Sequence, residues 1–178
     1  MRTRVSAALF AATVFAAQFL PALARADQIC FERGGQFATL RHCVTSVRSP
    51  DGATHFGPDH LAATDDSAWC AAAERDEAIT LYLNPPAPLR TISFTNGYAK
   101  SPETFRRNGR IRRALIETST GYQGYIDPKD TPASQRFIIA KGTYAWVRLK
   151  ILETARGTAN ANPCASEFLV NLEELGNN

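Results

Sequence analysis

The sequence predicts an all-β domain, a β-sandwich or jelly roll. Short apolar runs alternate in period two, turn-forming residues separate nearly all of them, and no long stretch keeps a helical period. Many short strands at close spacing bury one face each, and two packed layers satisfy that need.

The chain begins with a leader. Arg2 and Arg4 supply a basic start, Val5 to Leu20 is apolar, and Ala24-Arg25-Ala26 has the small-x-small pattern of a cleavage site. Residues 1–26 read as a secretory signal peptide, cut before Asp27. The apolar stretch is short of the roughly 20 residues a membrane span needs, so stable insertion is not expected. The protein is then secreted or periplasmic. Of the 178 residues, 152 remain, enough for one domain with a core.

Four cysteines follow the leader: Cys30, Cys43, Cys70 and Cys164. An even count in an exported chain reads as two disulfides, and their spacing does not suit a zinc site. Three pairings are possible. The Gly34-Gly35 turn favours Cys30 with Cys43, a small hairpin or extension over residues 27–43. Cys70 is then left for Cys164, which pins the start of a sandwich over residues 44–178 to its last strand.

Strand signals run along the rest. Val44 to Val47 can add a strand, and turn residues Ser49-Pro50-Asp51-Gly52 follow. Ile79 to Leu83 alternates and stops at Asn84-Pro85-Pro86. Leu89 to Phe94 stops at Asn96-Gly97. Phe105 sits in a short helical turn with its ring in the core; Glu173 is a second such position. Ile111 to Ser119, Arg136 to Ala140 (ended by Lys141-Gly142), Tyr144 to Leu152 and Phe168 to Leu172 complete the series. In the longest run, Ala145, Val147, Leu149 and Ile151 should face the core, with Trp146, Arg148 and Lys150 opposite. Trp146 is either a ring covered by arginine stems or a stacking platform.

Charge excludes one class of partner. The chain holds 20 basic and 17 acidic residues, but Arg2, Arg4 and Arg25 leave with the signal, so the rest balances at 17 of each. A phosphate-binding protein carries a clear basic excess, and an exported one rarely meets nucleic acid. The cluster Arg106, Arg107, Arg110, Arg112 and Arg113 therefore reads as a solvated face. Alternation places Arg110 and Arg112 opposite Ile111 and Arg113. No nucleophile elbow, Walker loop, dinucleotide fingerprint or metalloprotease helix occurs, and paired cysteines leave no thiol nucleophile, so no catalytic site is expected. If Cys70 and Cys164 are bonded, Asp65 and Asp66 come near Glu167, a hard-oxygen set that could hold calcium. No other cofactor is expected.

Three segments then fall into one order. HFGPDHLAATDDSAWC (55–70), ISFTNGYAKSPETFRRNGRIR (92–112) and CASEF (164–168) resemble the bacterial NADase-type glycan-binding domains. That discoidin-like family has the galactose-binding-like jelly-roll fold. The shared positions are Ser67-Ala68-Trp69-Cys70, Asn96-Gly97-Tyr98-Ala99-Lys100-Ser101, Phe105, Asn108-Gly109-Arg110 and Cys164-Ala165-Ser166-Glu167. Departures fall in loops: Ala62-Ala63, Ala71, Glu74-Arg75-Asp76-Glu77 and Asn162-Pro163 replace the family's usual residues. The resemblance implies a non-catalytic domain whose partner is a carbohydrate or another cell-envelope component. Sugar sites need an aromatic face and a few planar or charged donors. Tyr98, Arg106, Arg107, Tyr122, Tyr125 and Trp146 are the candidates. The alternative partner is another exported protein, which would need a contiguous apolar-aromatic patch.

Overall fold

A computed structural model describes residues 28–34, 38–62 and 67–171. The signal-peptide segment, Asp65, Asp66 and Glu173 lie outside the described residues. Among those described, no helix is long and apolar enough to cross a membrane.

Within the described residues eight strands pair antiparallel throughout. They are β1 (Ile29–Gly34), β2 (Thr39–Val44), β3 (Trp69–Cys70), β4 (Ala78–Asn96), β5 (Arg110–Thr118), β6 (Gln123–Ile126), β7 (Gln135–Ala155) and β8 (Cys164–Val170). A 3-10 turn spans Pro58–Leu61, and one short helix, α1, spans Pro102–Arg107. The order is β1-β2-β4-β7-β5-β6, with β8 on β4 and β3 on β8. The two long strands carry the sandwich. β4 pairs with β2 through its first half and with β8 through its second, while β7 follows it along both. The inner faces meet in one core around Trp69, Leu81, Ile92, Phe94, Ile116, Leu149 and Phe168.

Two breaks expected from the sequence are bulges, not reversals. Asn84-Pro85-Pro86 lies inside β4, where the pairing to β7 jumps from Tyr82/Trp146 to Ala87/Tyr144. The extra residues are exposed, and prolines are tolerated there because a bulge leaves N–H groups unpaired anyway. Lys141-Gly142 likewise lies inside β7. A Cβ on Gly142 would come within 2.8 Å of the Tyr144 ring, so the glycine lets that buried ring fold back over the strand.

Bulges also move side chains between faces. β5 and β7 slip register at Arg112 and again at Leu152. Arg113 is therefore exposed like Arg112 and does not share the buried face of Ile111, contrary to simple alternation. In β7, Val147, Leu149 and Ile151 are buried as expected, but Ala145 is only partly so, and Tyr144 takes the inward place. The strand expected over Val44 to Val47 instead ends at Val44. Phe105 is buried from within α1.

The disulfides are Cys30–Cys43 and Cys70–Cys164. Each joins directly opposed residues of an antiparallel pair. β2 is bonded to β4 over six residue pairs, so the hairpin continues the main sheet and β1 forms its edge.

Candidate functional site

The Asn96-Gly97-Tyr98 segment locks the fold. β6 pairs only with Ala114–Glu117, so no strand among the described residues reaches the outer backbone edge of Ile111. The Asn96 side chain takes the strand's place: its Nδ2 donates to the Ile111 carbonyl at 2.8 Å and its Oδ1 accepts from the Ile111 N–H at 2.9 Å. Gly97 has φ +70°, and a Cβ there would strike the Phe105 ring at 2.8 Å. The Ser166 hydroxyl donates to the Gly97 carbonyl and accepts from the Ala99 N–H. Ser101 and Thr104 form a capping box at the start of α1. Asn108 accepts from Arg48 at 2.8 Å, and a Cβ on Gly109 would meet the Ala161 carbonyl at 2.3 Å. Buried polar groups of this kind are satisfied by one another, which explains residue choice without a ligand.

The sequence-derived binding residues do not converge on one hollow. Tyr98 is buried, edge-on to Phe56 in a small cluster with the Cys70–Cys164 bond. Arg106 and Arg107 are exposed on α1, where their carbonyls accept from the N–H groups of Thr158, Ala159 and Asn160. Tyr122 packs on the core beneath the β5–β6 turn. Tyr125 is 66% exposed on β6 with the Arg113 guanidinium 5.4 Å from its ring centre. A nearby hollow holds two ion pairs, Arg110 with Asp130 at 2.7 Å and Arg113 with Asp127 at 3.5 Å, with Arg112 and Glu153 beside them.

Trp146 sits differently. Across the outer face, Glu32 of β1 opposes Arg41 of β2, Arg41 opposes Tyr82 of β4, and Tyr82 opposes Trp146 of β7. Directly opposed residues share a face, so the four side chains form one row. Both rings are half-buried. Arg41 lies 4.8 Å over Tyr82 and Arg148 lies 5.4 Å over Trp146. Arg148 is held by Thr80 at 3.1 Å and Glu117 at 3.9 Å. A groove beside the row is lined by Glu32, Thr39, Arg41, Tyr82, Asn84 and Pro86. The arrangement presents two adjacent half-buried rings, each with a planar guanidinium over it, and an exposed carboxylate. Such a set can stack on apolar ring faces and share hydrogen bonds with vicinal hydroxyls. Sequence reasoning missed Tyr82, Arg41 and Arg148. One signal was present: Tyr82 falls on the parity opposite Ile79, Leu81 and Leu83.

The calcium set is not assembled from the described residues. Of its three members only Glu167 is described, and its carboxylate accepts from the Ser134 hydroxyl at 2.9 Å. Three shifted groups are structural. Burial lowers His42, whose Nε2–H donates to the Phe168 carbonyl at 2.7 Å and partly offsets the shift. Burial also lowers Arg48, against the attraction of Asp51 and Tyr98, and raises Tyr144, against a hydrogen bond with Thr120.

Comparison with known proteins agrees with this architecture. A family model described as NAD glycohydrolase translocation F5/8 type C domain matches residues 38–171. Among solved structures, the chain is similar to CpGH89CBM32-5 from Clostridium perfringens, solved in complex with GalNAc-β-1,3-galactose. The TM-score is 0.57 at 16% identity, over 74% of this chain and 94% of that one. It is also similar to the family 32 module of Clostridium perfringens NanJ, solved with galactose: TM-score 0.56, 11% identity, 74% and 92% covered. A third match is arabinofuranosyltransferase AftD from Mycobacteria, with TM-score 0.59 and 18% identity, over 83% of this chain but 12% of the enzyme. No curated protein matches the sequence. At these identities the likeness to solved structures is one of fold.

Proposed function

The chain belongs to the NAD glycohydrolase translocation F5/8 type C domain family, and from that premise we propose that it is an exported, non-catalytic domain that binds carbohydrate. The observation that carries the reading is the cross-strand pair Tyr82–Trp146 with a guanidinium over each ring. A pyranose offers an apolar C–H face and a rim of hydroxyls. The parts of the two half-buried rings left open beside the guanidinium groups meet the first; Arg41, Arg148 and Glu32 meet the second. Two similar folds were solved with galactose-containing ligands, which makes galactosides the first class to try. Two disulfides suit an oxidising compartment outside the cytoplasm, where envelope or host glycans are met.

A glycan array with galactosides, run with and without calcium, tests the reading, followed by calorimetry on the hits. Trp146→Ala should abolish binding and leave the circular dichroism spectrum unchanged. Tyr125→Ala, on β6 at the far end of the sheet order, should leave binding intact. An array without hits, or equal loss in both variants, would overturn the reading. The alternative, an exported protein as partner, calls for a contiguous apolar patch. The large exposed apolar side chains among the described residues are instead spread over three strands: Ile29 and Phe31 on β1, Tyr125 on β6, Ile138 and Leu152 on β7.

A further inference from the structure

The loop before β3 gathers two imidazoles and a carboxylate away from the aromatic row. Ligand atoms of His55, Asp59 and His60 all lie within 4.8 Å of one another. We infer that this loop is a site for a divalent d-block cation of the zinc class, held by His55 Nε2, Asp59 Oδ2 and His60 Nδ1.

Local chemistry sets each donor. Gly57-Pro58 opens the 3-10 turn Pro58–Leu61, and the His60 N–H donates back to the Gly57 carbonyl at 3.3 Å. Pro58 restricts the backbone at the first turn position, so Asp59 and His60 are presented from a rigid corner. His60 is buried, and its Nε2 lies 3.1 Å from the His55 carbonyl. A carbonyl only accepts, so Nε2 carries the proton and Nδ1 keeps its lone pair. An N–H tied to a backbone carbonyl is the usual orientation of a metal-binding histidine. The Ser67 hydroxyl donates to that lone pair at 2.5 Å, a bond that a cation on Nδ1 would replace.

Asp59 faces both rings. Its Oδ2 is 2.9 Å from His55 Nε2 and 3.8 Å from His60 Nδ1. Bonds of about 2.0–2.2 Å to a tetrahedral ion place donor atoms roughly 3.4 Å apart. Against that spacing the His55–Asp59 pair must open by about 0.5 Å and the Asp59–His60 pair close by about 0.4 Å, and His55, with 60% of its side chain exposed, can pivot to supply the first. Gly57 provides the space: a Cβ there would lie 2.3 Å from Asp59 Oδ1. Two nitrogens and one oxygen, with a fourth position left for water or another donor, suit zinc, nickel or copper better than calcium, which prefers six to eight oxygens.

Zinc titration of the full chain by calorimetry, without chelating buffer, tests the site. Wild type should bind one ion that equimolar calcium does not displace. His55→Ala removes a donor from an exposed side chain. Gly57→Ala has a compatible backbone (φ −76°, ψ 169°) and pushes the Asp59 carboxylate out of place. Each should weaken binding at least about tenfold while the circular dichroism spectrum stays unchanged. No zinc binding by wild type, wild-type affinity in both variants, or displacement by calcium would overturn the assignment.

Discussion

Replacing Asn96 with alanine should cost this domain a large part of its stability. The Asn96 amide makes two hydrogen bonds, at 2.8 and 2.9 Å, with the backbone of Ile111. Both residues are 1% exposed. Alanine leaves one backbone donor and one acceptor buried and unpaired. Each costs about 1–3 kcal/mol, or about 2–6 kcal/mol together, against a total of about 5–15 kcal/mol for a domain. At a urea slope of about 1–3 kcal/mol per M, the unfolding midpoint should fall by about 1 M or more. Asn96→Asp separates the two bonds. One oxygen still accepts from the Ile111 N–H, but the other now faces the Ile111 carbonyl. Burial and that opposition disfavour the charged form, so the folded pKa rises above the ordinary carboxylate range. The unfolded chain then loses its proton first. Relative to wild type, the aspartate variant should be most stable below the unfolded pKa of about 3.9 and lose stability as pH rises through the folded value. Urea unfolding of both variants at pH 4 and pH 7 is the assay. An alanine variant within about 0.5 kcal/mol of wild type, or an aspartate variant with no added pH dependence, would refute the strand-surrogate role.

Two further outcomes follow from the fold. The bond Cys70–Cys164 spans 94 residues and Cys30–Cys43 spans 13, so chain entropy alone assigns them about 4.7 and about 2.9 kcal/mol. Removing the first pair by alanine substitution should lower the urea midpoint more than removing the second; equal losses would contradict this. Burial lowers the His42 pKa, and its Nδ1 meets no partner among the described residues. Its contribution to stability is therefore full above the unfolded pKa of about 6.5 and declines as pH falls below it, by at most about 1.4 kcal/mol per pH unit. His42→Gln keeps a donor for the Phe168 carbonyl and cannot titrate, so wild type should lose more stability than this variant between pH 7 and pH 5.

The motif positions were legible as positions but not as roles. Asn96, Gly97, Tyr98, Asn108 and Ser166 stand out in the sequence, and a functional reading of Tyr98 was natural. The structure places Tyr98 against Phe56 and the disulfide, with the polar members bonding backbone edges. A residue type alone does not tell a buried hydrogen-bonding partner from a ligand contact, because both uses need the same polar atoms. Tyr82 shows the reverse. Its parity was readable within one strand, yet its neighbours Arg41 and Trp146 come from strands far away in the chain.

Local patterns were enough for the all-β class, the main strands and the buried Val147, Leu149 and Ile151, because period-two alternation is a property of a few consecutive residues. Tertiary structure alone decided that Asn84-Pro85-Pro86 and Lys141-Gly142 are bulges within continuous strands. It also decided that Arg113 turns outward and that Tyr82 and Trp146 lie side by side. Each of these depends on register between strands, and one slipped residue moves every later side chain to the other face.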